Sequence, residues 1–192
     1  ANAVFNRTDA LMLSGETANG NYGVEAVKVM AKVAEEVEIS KDKRNDIIPP
    51  LNSEPSAFLA QNAINATNEM DITAIVTDTL SGHNARYLSA FRADVPVYAK
   101  CYRPRVMREL GLSYGVFPSM IEPQTNRDET IRTALDSLVE SNDLKPADKV
   151  VYVGSSAGIR SMASFLEVLD VETALNPKNE ENLLGLVGPL DA

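Results

Sequence analysis

The sequence predicts an α/β protein: a three-layer, open, mostly parallel sheet flanked by helices, preceded by one separate βα unit. Three observations predict it. Between residues 56 and 171, short β-branched runs alternate with segments whose apolar residues recur at helical spacing. That is the pattern of strands feeding crossover helices. Two of those runs end in turns rich in Gly and hydroxyl residues, Thr79-Leu80-Ser81-Gly82 and Gly154-Ser155-Ser156-Ala157-Gly158, and open α/β sheets place ligand crevices at such strand ends. Finally, one βα pattern near the start stands apart from the rest, behind a charged stretch with two prolines.

The elements follow in order. Ala1-Asn2-Ala3-Val4-Phe5 reads as the end of a helix with no start. Ala10-Leu11-Met12-Leu13 is an apolar run that suits a buried strand, and a loop rich in Gly and Asn follows through Gly23. A helix is expected from near Val24, because Val24, Val27, Ala31 and Ala34 recur at helical spacing with Met30 and Val37 beside them. A strand buried on both faces belongs inside a parallel sheet, covered by neighbours. No neighbouring βα unit precedes this one, so residues 1–38 are expected to be a piece of a larger body. Ser40-Lys41-Asp42-Lys43-Arg44-Asn45-Asp46 is charged and aperiodic, and Pro49-Pro50 follows. Helices do not cross such a stretch easily, so residues 39–55 are expected to be a linker.

In the second domain, residues 56–171, Leu59, Ala63, Ala66 and Met70 mark a helix, and Ile72-Thr73-Ala74-Ile75-Val76-Thr77 marks a strand. The turn at Ser81-Gly82 opens a helix to about Phe91. Val95-Pro96-Val97-Tyr98-Ala99 is a strand, and Pro104 suits the first turn of a helix reaching about Leu112. Gly115-Val116-Phe117 is a short strand. Ile131, Ala134, Leu135, Leu138 and Val139 give the clearest helix. Val150-Val151-Tyr152-Val153 and Leu166-Glu167-Val168-Leu169-Asp170-Val171 are the last strands, and residues 172–192 form a polar, then Gly- and Leu-rich tail.

Bulk properties exclude several functions. The chain has 192 residues, 44% hydrophobic and 23% charged, enough for a soluble core without staples. No apolar run approaches the ~18–20 residues of a membrane span, and no signal peptide is expected. The net charge of −9 repels nucleic-acid phosphates, so no nucleic-acid partner is expected. An anionic ligand would need local amides and a few basic side chains. The single cysteine, Cys101, excludes an internal disulfide and fits a reducing, cytoplasmic setting. With His83 as the single histidine, a Cys/His zinc site of about four ligands cannot be assembled.

Three loops could carry chemistry. Ser14-Gly15-Glu16-Thr17-Ala18 follows the isolated strand, where barrel folds place active sites, though its residues also suit a plain capped loop. Thr79-Leu80-Ser81-Gly82-His83-Asn84-Ala85-Arg86 links a strand to a helix start. There, unpaired N–H groups and the positive dipole end favour an anion. Gly82 allows close approach, and Thr79, Ser81 and Asn84 offer neutral hydrogen-bonding groups. A ligand-free strand-to-helix turn has the same composition, and both readings stand on the residues alone. Gly154-Ser155-Ser156-Ala157-Gly158-Ile159-Arg160-Ser161 is the third loop. Arg103, Arg105 and Arg108 cluster near Pro104 and read as a solvated basic face or an interface salt-bridge patch.

Two of these segments carry a resemblance. The stretch Thr8-Asp9-Ala10-Leu11-Met12-Leu13-Ser14-Gly15-Glu16-Thr17-Ala18-Asn19-Gly20-Asn21-Tyr22, with Ala1-Asn2-Ala3-Val4 before it and Glu25-Ala26-Val27 after, resembles the eighth βα unit of the pyruvate kinase TIM barrel. Arg7 stands where that family usually has Gly, and Gly23 where it usually has Pro. The resemblance implies that Ser14 and Glu16 lie at the rim of an active site whose metal ligands and phosphate-clamping lysine come from elsewhere. Residues 56–171 resemble the family's C-terminal domain, almost without gaps through Tyr114-Gly115-Val116. The family's loop Thr-x-Ser/Gly-Gly-x-Ser/Thr-Ala holds a phosphate of an allosteric effector. This sequence matches it at Thr79, Ser81, Gly82 and Ala85, has His83 where a basic residue is frequent, and has Asn84 in place of a hydroxyl residue. In the third loop Gly158 is kept, but Arg160, Ser161, Met162, Ala163 and Ser164 replace a Gly-rich run. Either Arg160 is a substitute anion contact for a different effector, or the pocket has lost its ligand. The chain has no Trp to offer an indole contact.

The resemblance implies an intact enzyme that moves a phosphoryl group from phosphoenolpyruvate to ADP, using Mg²⁺ and K⁺, as a cytoplasmic homotetramer. For this chain it implies no turnover, no bound metal, and a sugar phosphate or nucleotide monophosphate as effector. A freestanding phosphometabolite-binding module and a purely structural oligomerisation domain are the alternatives.

Overall fold

The computed structural model describes residues 1–40, 54–155 and 163–176. The expected linker falls mostly on residues 41–53, and most of the expected tail on residues 177–192. Both lie outside the described residues.

The α/β part is built around one buried strand. β1, Ala74–Thr79, is buried along its whole length. Parallel partners flank it on both sides, β2 (Val97–Cys101) and β4 (Lys149–Gly154). β3, Val116–Met120, lies parallel on the outer side of β2, and β5, Phe165–Asp170, pairs antiparallel with β4. The order across the sheet is β3-β2-β1-β4-β5. The chain therefore winds one way from β1 and returns on its other side at β4. Open α/β sheets place their ligand sites beyond the carboxyl ends of the strands at such a reversal.

Period-two alternation decides what each face of the sheet touches. On one face Ile75, Val97, Ala99 and Val151 pack against three helices. These are α4 (Pro55–Glu69), α5 (His83–Phe91) and α6 (Pro104–Leu110). On the other face Ala74, Val76, Val150 and Tyr152 meet α7, Arg127–Glu140, and α8, Val171–Leu175. The result is three layers, α/β with helices on both sides. In α7 the residues picked out by periodicity, Ile131, Ala134, Leu135 and Leu138, are its buried ones. Asn126 caps the helix, its side-chain oxygen accepting from the Glu129 amide at 2.9 Å.

The N-terminal unit differs from expectation. It contains α1 (Asn2–Phe5), α2 (Gly15–Ala18) and α3 (Gly23–Ser40), but residues 10–14 form no strand. A parallel strand exists only by pairing, and the described residues offer residues 10–13 no partner. Two smaller differences appear at the other end. The last strand is the antiparallel member of the sheet, and residues expected in the tail extend the fold as α8.

Candidate functional site

The turn from Thr79 to His83 leads from the carboxyl end of β1 into α5. Thr79 is buried, and its hydroxyl accepts a hydrogen bond from the Gly82 amide at 2.9 Å. Gly82 is the N-cap of α5 with φ 82°, a left-handed conformation that favours glycine. A Cβ there would also stand 3.0 Å from Arg86 Nη1 and 3.2 Å from Leu110 Cδ2. Glycine is thus favoured by the backbone, and a side chain there would press on Arg86 and Leu110. No side chain caps the first turn of α5 among the described residues, and a helix start leaves its first amides without intrahelical partners.

Basic groups surround this turn, each with an acid. Arg86 Nη1 donates to the Ser81 carbonyl at 2.9 Å, and Nη2 meets Glu109 Oε2 at 3.1 Å. Arg105 shares the same Glu109 through Nε at 2.8 Å, and with Arg86 holds its carboxyl below the usual range. Of the arginine cluster, Arg105 forms this exposed pair within its own helix. His83 Nε2 lies 3.4 Å from Glu54 Oε1, and its ring meets Tyr87 edge-on at 4.9 Å. Ser81 is exposed.

Asn84 occupies a different role from its neighbours. It is 2% exposed, and its side-chain oxygen accepts from the Ala163 amide at 3.0 Å, an amide that also reaches Ser56 Oγ at 2.8 Å. Asn84 therefore ties the first turn of α5 to the backbone just after the third candidate loop. Arg160 lies outside the described residues.

Ser14 and Glu16 lie in the other unit. The Glu16 carboxylate accepts from the Ser14 amide at 3.0 Å, Thr17 Oγ1 donates to the Ser14 carbonyl at 3.1 Å, and all three are exposed. Hydrogen bonding to backbone amides holds the Glu16 carboxyl below its ordinary value. Here the capped-loop geometry is present, and nothing from the sheet reaches it. The turn ends on Gly20, where a Cβ would lie 2.4 Å from the Glu16 carbonyl oxygen.

One polar cluster escaped sequence reasoning. Asp78, at the carboxyl end of β1, is 7% exposed and accepts from Tyr102 and Tyr152 hydroxyls, each at 3.0 Å. Burial pushes its carboxyl upward, and burial beside Asp78 pushes both phenols up. Lys100, opposite Asp78 on β2, is also buried and donates to Ser119 Oγ at 3.0 Å. Burial lowers its ammonium. The signal was a charge inside each of two β-branched runs. Cys101 is a buried thiol pushed up to about 11, so it is inert at neutral pH. No described helix is long and apolar enough to cross a membrane.

Known proteins match both parts. Residues 58–169 fit the family model described as pyruvate kinase, alpha/beta domain. A pyruvate kinase of Borreliella burgdorferi is 37% identical over 184 residues, covering 93% of this chain and 39% of the relative. One of Clostridium acetobutylicum is 34% identical over 181 residues, covering 90% and 37%. One of Geobacillus stearothermophilus is 36% identical over 173 residues, covering 88% and 29%. The chain thus spans less than two fifths of the length of these relatives, while the family model takes in more than half of the chain itself. The chain belongs to the pyruvate kinase family, and its five-stranded sheet is that family's alpha/beta domain.

Proposed function

We propose that this chain carries the effector-binding and assembly part of a pyruvate kinase, with the turn at residues 79–84 as the seat of a phosphate. The ligand is a sugar phosphate or a nucleotide monophosphate. The observation that carries this reading is the left-handed Gly82 at a helix start without a side-chain cap, at the strand end where the strand order reverses. Amides of the first turn of α5 and the Ser81 hydroxyl would donate to phosphate oxygens. Arg86 and His83 would supply charge, in competition with Glu109 and Glu54. Asn84 ties the loop through its oxygen, and its Nδ2 is the group that would donate to a phosphate oxygen.

In the intact enzyme the reaction moves a phosphoryl group from phosphoenolpyruvate to ADP, with Mg²⁺ and K⁺ neutralising charge. Among the described residues no three His, Cys, Asp or Glu side chains converge where a metal could sit. No step assigned to this chain runs through a metal. Ser14 and Glu16 would line only the rim of the active site. The chain alone is expected to be inactive. Metal-dependent pyruvate formation by the purified chain in a coupled assay would overturn that.

Thermal shift against glucose 6-phosphate, fructose 1,6-bisphosphate and AMP tests the phosphate site. A saturable rise in Tm is expected for at least one of them, lost in Ser81→Ala and in Gly82→Asp. Ser81 is exposed, so its substitution leaves the fold intact. No response to the whole panel would sink the site and favour the assembly reading. A specific observation supports that second reading: Val24, Val29 and Ile39 of α3 are 64%, 63% and 84% exposed, apolar surface of the kind that pairs copies. Sedimentation as a clean monomer at high concentration would remove it.

A further inference from the structure

Each end of α5 carries an arginine, and the two are held differently. Arg92, the C-cap, forms the joint with the N-terminal unit. Its Nη2 donates to the Arg7 carbonyl and pairs with Asp9 Oδ1 at 3.0 Å, and its guanidinium stacks 4.1 Å from the centre of the Tyr114 ring. That side chain is only 13% exposed. Arg86, at the other end, is 48% exposed, and its amide closes the first turn on the Gly82 carbonyl at 3.0 Å. A guanidinium has five N–H groups. In Arg86 one on Nη1 reaches the Ser81 carbonyl at 2.9 Å and one on Nη2 reaches Glu109 Oε2 at 3.1 Å. Among the described residues the others have no partner.

The Arg86 guanidinium lies against the turn itself. A Cβ on Gly82 would stand 3.0 Å from its Nη1 and 3.2 Å from its Cζ, so the side chain that glycine lacks leaves the place Arg86 fills. Glu109 reaches in from α6 and joins two arginines. Its Oε2 takes Arg86, and its Oε1 takes Nε of Arg105, four residues earlier in the same helix, at 2.8 Å. Two guanidinium groups and one carboxylate leave a single net positive charge beside the turn. All three side chains face solvent, being 48%, 85% and 42% exposed, and ion pairs in such a setting are weak and exchange readily. A phosphate brings more oxygens and more negative charge than a carboxylate. It can therefore take Arg86 from Glu109 where amides of the same turn hold it as well. The contact of His83 with Glu54 is longer, at 3.4 Å, and depends on protonation, whereas an arginine keeps its charge.

Resting on the phosphate-site reading above, we propose that Glu109 is a built-in competitor for Arg86, and that Arg105 sets the strength of that competition by sharing the same carboxylate. Without ligand, Glu109 keeps Arg86 folded on the turn. With ligand, a phosphate oxygen displaces the carboxylate from Arg86 Nη2, and Glu109 stays with Arg105 on its own helix. Arg86 is then the contact residue, while Glu109 and Arg105 act through it and limit the affinity of the site.

Calorimetric titration of the full chain with inorganic phosphate, at one low ionic strength, tests it. Glu109→Gln keeps the shape and an acceptor but removes the competing charge, and it should tighten phosphate binding by roughly 2- to 5-fold. Arg105→Gln leaves Glu109 to Arg86 alone and should weaken binding by a similar factor, with no contact to the ligand lost. In the Glu109→Gln background the same Arg105 substitution should do nothing. That silence separates competition from a general loss of positive charge. Arg108→Gln removes an equal charge from the same helix, outside the pair, and should change binding by less than about 2-fold. Unchanged or weaker binding in Glu109→Gln overturns the proposal, and so does an Arg105 effect that persists without Glu109. If either happens while the unaltered chain binds phosphate and Ser81→Ala loses it, the phosphate site stands and only the competition falls. If neither the unaltered chain nor Glu109→Gln binds phosphate, the site fails and the competition with it.

Discussion

The N-terminal unit and the α/β domain start from similar sequence and end differently. Both offer an apolar run followed by an amphipathic helix. In the domain, β1 is buried end to end between two parallel partners, and α5 buries Ala85, Leu88 and Phe91 against it. In the N-terminal unit residues 10–13 have no strand partner among the described residues, α1 and α2 bury no residue, and no residue of α3 up to Ile39 is buried. An apolar sequence specifies a strand only where other strands accept its amides and carbonyls. Helix α3 survives the same lack, since its hydrogen bonds are internal. The difference between the units is one of neighbours, and residue chemistry plays little part in it.

The sharpest way to break this comparison is to cut equal pieces from each helix. Leu88→Ala in α5 removes a side chain with no exposed surface and should cost about 2–5 kcal/mol in urea denaturation. Val29→Ala in α3, 63% exposed, should change stability by less than ~0.5 kcal/mol. Similar costs would mean that α3 is covered in solution.

A smaller effect comes from the polar cluster inside the domain. Burial raises the Asp78 carboxyl above its ordinary 3.8. The folded state therefore binds the proton more tightly than the unfolded one. The Asp78 contribution to stability should grow as pH falls through the folded value toward the ordinary aspartate range, and be absent near neutrality. In Asp78→Asn that acid-side gain disappears. The difference in Tm, unaltered minus variant, should become more positive between pH 7 and about 4. A constant difference would show that Asp78 titrates normally. The N-terminal unit carries no comparable group: Glu16 is exposed, and its carboxyl moves downward instead.

The smallest change tests the joint between the units. Arg7→Gly relieves a left-handed φ of 62° but frees the unfolded chain, so its net effect should stay within ~1 kcal/mol. A larger loss would mean that the Arg7 side chain, and not only its carbonyl, holds the joint.

Much of the domain was legible in residues. The turn at Ser81-Gly82 marked where α5 begins, and the apolar spacing in α7 named its buried face. Asn84 was less legible. Its oxygen meets the Ala163 amide, 79 residues away in sequence, a contact that no local motif announces. Asp78 and Lys100 were overlooked because a charge in a strand says nothing about which tyrosine or serine will reach it.

By itself the sequence determined the alternation of strands and helices, the glycine at the start of α5 and the family. These depend on local periodicity, on backbone dihedrals only glycine adopts freely, and on contiguous motifs. Tertiary structure decided that residues 10–13 are not a strand, that β5 runs antiparallel, and that Arg92 reaches Arg7 and Asp9. Each of those depends on which distant backbone or charge arrives beside it, and one stretch of chain holds no record of that.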